Sequence, residues 1–155
     1  MQPERRSALR TGGRLGLLGV LGSLGLLDPQ WVRAEGDRAG FDARSVGEAL
    51  SAAGFGGAAS AADVELEAPE IAENGAVVPI RVSTGLPRVD RIAILVEKNP
   101  TILSAVFVLP EGTEPSIATR VKMAETCRVI VALRSDGKVY IVSKEIKVTL
   151  GGCGG

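Results

Sequence analysis

Hydrophobic and polar residues alternate along much of the chain after residue 63, and turn-forming residues separate the alternating segments. Alternation of this kind is typical of half-buried β-strands, in which every second side chain faces the same side. The breaks contain Asn-Gly, Asn-Pro, Pro-Glu-Gly or Asp-Gly, which favour turns. The sequence therefore predicts an all-β, immunoglobulin-like β-sandwich of about seven strands. The predicted strands cover residues 63–68, 76–83, 89–97, 103–109, 115–123, 127–134 and 138–150.

In two of these strands, the pattern of apolar residues also predicts which face is buried or where the strand is irregular. The sixth strand has a single apolar face, formed by Cys127, Val129, Val131 and Leu133. In the last strand the apolar positions change phase, because they are odd at 139 and 141 but even from 146 onwards. A β-bulge near residues 142–145 would bring both sets onto one buried face, and we therefore expect one there.

The segment before the strands has a different pattern. Val46, Ala49, Leu50 and Ala53 are spaced as one face of a helix, which predicts a short helix over residues 43–53. Asp42 is the expected N-cap, and Gly54 can end the helix. The stretch from 54 to 60 is rich in glycine and alanine and predicts a linker with little core potential. Since no long helices alternate with the strands, a parallel α/β sheet is not expected.

Residues 1–34 have the features of an export signal. Four arginines at positions 5, 6, 10 and 14 precede an apolar run of 13 residues, Leu15–Leu27, which is too short for a stable membrane anchor. Val32-Arg33-Ala34 fits the small-residue cleavage rule, which places the mature start near Glu35. The paired Arg5 and Arg6 resemble a twin-arginine signal peptide, although Glu4 and Ala8 depart from that pattern. A buried core helix is the alternative, and the arginines fit it poorly. We expect export to the bacterial periplasm.

Composition excludes several kinds of function. The chain has no histidine, the commonest general base and metal ligand, and its two cysteines lie 26 positions apart. A structural zinc or iron–sulfur site and a self-contained catalytic apparatus are therefore not expected, and we predict that the protein is not an enzyme. Lys and Arg number 18, as do Asp and Glu, so there is no excess positive charge for nucleic acid.

The C-terminus carries the candidate chemistry. Cys153 is flanked only by glycines, which are Gly151, Gly152, Gly154 and Gly155. Such a tail is thin, and five residues reach at most ~17 Å. It cannot pre-organise a catalytic site, so it suits a substrate handle that other enzymes act on. The alternatives are an incidental cysteine, or a disulfide between Cys127 and Cys153. Cys127 lies on an apolar strand face, where a buried, inert thiol is the usual explanation.

Several segments of the sequence resemble the SoxY family, the sulfur-carrying subunits of the bacterial Sox thiosulfate-oxidation system. The resemblance lies in Gly-Gly-Cys-Gly-Gly at 151–155, the preceding strand Lys144–Thr149, and the segments Ala68–Pro79, Ile94–Pro100 and Thr119–Ala124. Together these cover most of residues 64–155. Together with the residue patterns, the resemblance predicts four regions: a signal peptide (1–34), an N-terminal helix and linker (35–62), an immunoglobulin-like SoxY domain (63–150) and a flexible carrier tail (151–155).

The resemblance also implies partners and a role for the tail. SoxY proteins form a heterodimer with a second small β-sandwich subunit, SoxZ, and hold no cofactor themselves. A c-type cytochrome pair, SoxAX, joins thiosulfate oxidatively to the tail cysteine, which corresponds to Cys153. A manganese-dependent hydrolase, SoxB, then releases sulfate, and in some organisms SoxCD oxidises the remaining sulfur.

A non-catalytic immunoglobulin-like binding module is the alternative, and it would not need the glycine-flanked cysteine. A thiol redox enzyme would need a Cys-x-x-Cys pair or an activated thiol.

Overall fold

The computed structural model of the protein describes residues 39–57, 59–60 and 64–150. The predicted signal peptide at 1–34 and the tail at 151–155 lie outside these described residues. Within them the chain is mainly β-strand, with one short α-helix before the sheets. No helix in this part of the chain is long and apolar enough to cross a membrane.

The described residues form nine strands, and seven of them match the predicted strands to within two residues at each end. The two additional strands, β1 and β3, are two residues long and pair parallel with β9. The strands are β1 (Ala59–Ser60), β2 (Val64–Glu67), β3 (Ile71–Ala72), β4 (Val78–Thr84), β5 (Val89–Val96), β6 (Leu103–Val108), β7 (Ser116–Val121), β8 (Cys127–Ser135) and β9 (Lys138–Val148).

The strands form two sheets that share a hydrophobic core, as the predicted sandwich requires. The larger sheet has the order β1-β9-β8-β5-β6, with β3 also paired to β9, and the smaller sheet has the order β2-β4-β7. Alternate residues of both sheets meet in this sheet–sheet core, which accounts for the alternation in the sequence. Its fully buried members include Val78, Val82, Ile92, Ile94, Met123, Val131, Leu133 and Ile146.

A second core covers the other face of the larger sheet, and we call it the helix-side core. Helix α1 (Val46–Ala52) and the segment after it pack there. Phe55 is only 2% exposed, and its amide donates to the carbonyl of Leu50 at 2.8 Å. The prediction that residues 54–60 form a linker with little core potential is therefore wrong at Phe55, near the start of this stretch. Sheet residues of this core include Ala93, Leu95, Ile130, Ala132 and Val139.

The beginning of α1 also differs from the prediction. Ser45, not Asp42, is the N-cap, and its hydroxyl accepts a hydrogen bond from the amide of Glu48 at 3.2 Å. The helix starts at Val46 because this serine satisfies an amide of the first turn that has no partner within the helix. The helix ends at Ala52, and Gly54 follows with a positive φ of 82°.

Strand β9 contains no bulge, so the predicted bulge near residues 142–145 is wrong. Its pairing with β8 is unbroken from Ser135 opposite Lys138 to Cys127 opposite Ile146. The phase change has another cause, because the larger sheet is buried on both faces. Val139 packs in the helix-side core, while Ile146 packs in the sheet–sheet core.

Candidate functional site

The predicted carrier tail lies outside the described residues. This holds for the candidate attachment residue, Cys153, and for the four glycines predicted to make the tail flexible, which are Gly151, Gly152, Gly154 and Gly155. The covalent role of the thiol and the flexibility of the glycines therefore stay predictions. The structure describes the point at which these five residues join the fold.

The described chain ends at the protein surface. Strand β9 ends at Val148, and Thr149 and Leu150 continue it as hydrogen-bonded backbone. The side chain of Leu150 is 69% exposed. The tail thus starts from an accessible position rather than from the core.

The segment immediately before the tail is hydrogen-bonded on one side to residues 70–75. The amide of Thr149 donates to the carbonyl of Ala72 at 3.1 Å. The amide of Gly75 then donates to the carbonyl of Leu150 at 2.9 Å. These bonds extend the parallel pairing of β3 with β9. The backbone is therefore held up to the residue that immediately precedes the tail.

A side chain fastens the same segment near the start of β8. The hydroxyl of Thr126 accepts a hydrogen bond from the amide of Val148 at 2.9 Å. In addition, the hydroxyl of Thr149 donates to the carbonyl of Glu73 at 3.2 Å. Contacts on both sides of this segment restrict its movement, so the tail begins from a defined place on the sandwich.

A further layer of hydrogen bonds lies behind Gly75, which is buried. The amide of Met123 donates to the carbonyl of Gly75 at 2.7 Å. On either side of Met123, the amide group of Asn99 donates to the carbonyl of Lys122 at 2.6 Å and accepts from the amide of Ala124 at 3.0 Å. Hydrogen bonds thus link the segments of four residues: Gly75, Asn99, Met123 and Leu150. We call these four residues and the hydrogen bonds between their segments the tail root.

The tail root limits where a tail thiol can act. A residue adds at most about 3.3–3.6 Å to an extended chain, so the Cα of Cys153 can be at most about 11 Å from the Cα of Leu150. Glycines supply no side chains that hold such a segment in one conformation. This arrangement can present a thiol to another protein, but the tail offers no neighbouring acid or base for chemistry of its own.

Cys127 occupies the place predicted for a core residue. Its side chain is 4% exposed, and it packs in the sheet–sheet core with Met123 and Ile146. Burial is the main cause that raises the pKa of the Cys127 thiol above its ordinary value. The thiol is free, and protonated thiols are poor nucleophiles. The structure thus confirms Cys127 as a core residue, and none of the described residues forms a disulfide with it.

Two ion pairs near the surface link β8 to the neighbouring strand β5 and to Glu97, the residue that follows β5. Arg128 pairs with Glu97, and Arg134 pairs with Asp90. In each pair, the hydrogen bond from the arginine is the main cause that lowers the pKa of the carboxyl group. Exposed pairs of this kind contribute little to stability. Across the described residues, no three His, Cys, Asp or Glu side chains are grouped to hold a metal ion.

Comparison with protein families decides the relationship. The family model described as "Sulfur oxidation protein SoxY" matches residues 51–153, which include both sheets and extend to Cys153. The chain belongs to the SoxY family. Its membership confirms the resemblance found in the sequence.

Solved structures agree with this assignment. The chain is similar to the sulfur carrier protein SoxY from Chlorobium limicola f thiosulfatophilum, with 33% identity and a TM-score of 0.60. The match covers 66% of this chain and 94% of that SoxY. A superoxide reductase (neelaredoxin) from Ignicoccus hospitalis has 22% identity and a TM-score of 0.50, covering 55% of this chain and 79% of the reductase. That likeness shows the fold alone. Among curated proteins, no sequence matches significantly.

The residue patterns do not predict the tail root, although three of its residues lie in segments that resemble the SoxY family. Gly75, Asn99 and Met123 each lie in one of the three internal segments that carry the SoxY resemblance. Taken as residue patterns, Asn74-Gly75 and Asn99-Pro100 indicate only turns. The structure shows that these segments meet through hydrogen bonds beside Leu150. The family resemblance was thus the one signal in the sequence that marked all three.

Proposed function

We propose that this protein is a periplasmic sulfur-compound carrier that holds thiosulfate-derived intermediates covalently on Cys153. The observation that carries the proposal is the SoxY family match, because it extends along the chain to Cys153 itself. The similar SoxY from Chlorobium is named a sulfur carrier protein. The fastened end of β9 supports the same role, because it gives a glycine tail a defined starting point.

The proposed cycle places all bond changes at the Cys153 sulfur or at the sulfur atoms attached to it. Oxidative coupling of the thiol with thiosulfate forms a sulfur–sulfur bond and gives Cys–S–S–SO3⁻, a proton and two electrons, which a c-type cytochrome accepts. Hydrolysis by water then breaks the bond between the outer sulfur and the sulfonate group. Its products are sulfate, two protons and Cys–S–S⁻. A SoxCD-like enzyme then oxidises the remaining sulfane sulfur to a sulfonate group and gives Cys–S–SO3⁻. This oxidation takes up three water molecules, releases six protons and passes six electrons to a c-type cytochrome. Hydrolysis of the sulfur–sulfur bond of Cys–S–SO3⁻ releases sulfate and a proton and regenerates the thiol.

Other proteins must supply the catalytic groups for these steps, since the tail has no side chain besides the thiol. Family membership supports a SoxZ-like subunit as the stable heterodimer partner. The same membership supports SoxAX-like, SoxB-like and SoxCD-like enzymes as transient partners. A tail of five residues suits transient partners, because glycine adds the least bulk to a peptide that enters a narrow pocket.

Mass analysis of the protein from thiosulfate-grown cells tests the carrier function. We expect sulfur-containing adducts on the C-terminal peptide that contains Cys153, because the proposed cycle attaches sulfur to that thiol. The peptide that contains Cys127 is the internal control, and it should be unmodified because its thiol is 4% exposed. An unmodified C-terminal peptide, in cells that need the protein for thiosulfate oxidation, would refute the carrier function and favour a binding module.

The proposed periplasmic location has a separate test. Replacing Arg5 and Arg6 together with lysine keeps the positive charge but removes the arginine pair. If the twin-arginine route is used, the uncleaved precursor should accumulate in the cytoplasm and the periplasmic protein should disappear. Arg10→Lys is the matched control and should be exported normally. Unchanged periplasmic levels of the double variant would exclude this route.

A further inference from the structure

The tail root joins three segments that lie far apart in the sequence. Gly75 is at its centre, because the buried glycine uses both backbone groups. Its amide donates to the carbonyl of Leu150, and its carbonyl accepts from the amide of Met123. Gly75 thus connects the last described residue of the chain to the segment between β7 and β8.

We propose that Asn99 is a positioning residue for the carrier tail. Its side chain holds the segment from Lys122 to Ala124, and this segment in turn holds Gly75 against Leu150. The proposal rests on the proposed carrier function, because it concerns the presentation of Cys153 to partner enzymes.

The chemistry of the two contacts requires an amide side chain. The carbonyl of Lys122 needs a donor, and the backbone amide of Ala124 needs an acceptor. An asparagine side chain supplies one of each, whereas an aspartate carboxylate supplies only acceptors. The distances of 2.6 Å and 3.0 Å fit both hydrogen bonds. Because both bonds come from one group, they fix the segment around Met123 in its position as well as its orientation.

The mechanical consequence follows from the composition of the tail. Four glycines cannot correct a displaced starting point by contacts of their own, so the position of Leu150 sets the volume that the thiol can reach. That volume is small, because the Cα of Cys153 can be at most about 11 Å from the Cα of Leu150. If the tail root shifts by a few ångströms, the Cys153 thiol therefore enters the pocket of a partner enzyme in a productive position less often. The intrinsic reactivity of the thiol is unaffected, because Asn99 does not take part in its chemistry.

The Asn99→Ala variant, in complex with its SoxZ-like subunit, tests this role. Amide hydrogen exchange at Gly75 and Met123 should accelerate about tenfold or more, because local opening becomes easier. Exchange at Ile94 and Val131, in the middle of the sheet, should not change. For the enzyme that releases sulfate from the loaded carrier, KM should rise several-fold while kcat stays the same. The rate at which a small disulfide reagent modifies Cys153 should also be unchanged.

Two further variants separate positioning from general stability. Ser135→Ala removes another bond from a side chain to a loop carbonyl, the 2.5 Å contact with Pro87, at the opposite end of β8. It should lower the melting temperature without changing exchange at Gly75 or KM. Asn99→Asp keeps the acceptor for Ala124 but loses the donor to Lys122, so it should behave like Asn99→Ala.

The results distinguish this proposal from the carrier function. Unchanged exchange at Gly75 in both Asn99 variants would overturn the positioning role. An equal rise in KM for Ser135→Ala would also overturn it. If wild-type Cys153 carries no sulfur, the carrier function fails, and the tail root would then have no presentation role.

Discussion

Replacing Cys153 with serine should abolish sulfur loading completely and leave the free energy of unfolding unchanged within about 0.5 kcal/mol. A serine hydroxyl cannot form the sulfur–sulfur bond on which the carrier cycle depends. Stability should be unaffected because residue 153 follows the last hydrogen bond of the described fold, which Leu150 accepts from Gly75. Intact-mass analysis after incubation with thiosulfate and the partner cytochrome measures loading, and urea unfolding measures stability.

Cys127→Ala is the matched control, since it removes the other thiol of the chain. This variant should load normally and lose about 1 kcal/mol of stability, because a small buried side chain is truncated in the sheet–sheet core. The two variants thus have opposite expected effects on loading and on stability. Loading of Cys153→Ser, or failure of a well-folded Cys127→Ala variant to load, would contradict the assignment of the carrier residue to Cys153.

Cys153 could be proposed as the carrier residue from the sequence because its signal is local. Four glycines around one thiol are visible in five consecutive residues, and no tertiary contact is needed to interpret them. The tail root is different, because residues 75, 99, 123 and 150 come together only when the sandwich forms. Two of the joining bonds are between backbone groups, which every sequence has, and the other two come from the single side chain of Asn99. No pattern of residue types could therefore identify those bonds before the fold was known.

The strands could likewise be predicted, but their second buried face could not. With a single buried face expected for β9, the odd position of Val139 required a bulge. The sequence of β5 contains the missing signal, because Ile92–Val96 is apolar at five consecutive positions. An uninterrupted run of this kind is typical of a strand that is buried on both faces. What covers the second face depends on α1 and Phe55, which were assigned to a separate N-terminal region.

Phe55→Ala should be the most destabilising change in that N-terminal region, with an expected loss of about 3–5 kcal/mol in the free energy of unfolding. The Phe55 ring is 2% exposed and packs with Leu50, Leu95 and Ile130 in the helix-side core. Its removal leaves a cavity between helix α1 and the larger sheet. The neighbouring backbone is already fixed by the bond from the amide of Phe55 to Leu50, which limits the collapse of that cavity.

Phe41→Ala is the matched control, because it deletes the same ring at a position that is 37% exposed. We expect a clearly smaller loss of stability from it, since less apolar surface is withdrawn from water there. Equal losses for the two variants in urea unfolding would contradict the second core. Sulfur loading should persist in the folded fraction of Phe55→Ala, because the helix-side core lies on the opposite face of the larger sheet from the core that contains Met123 and Ile146.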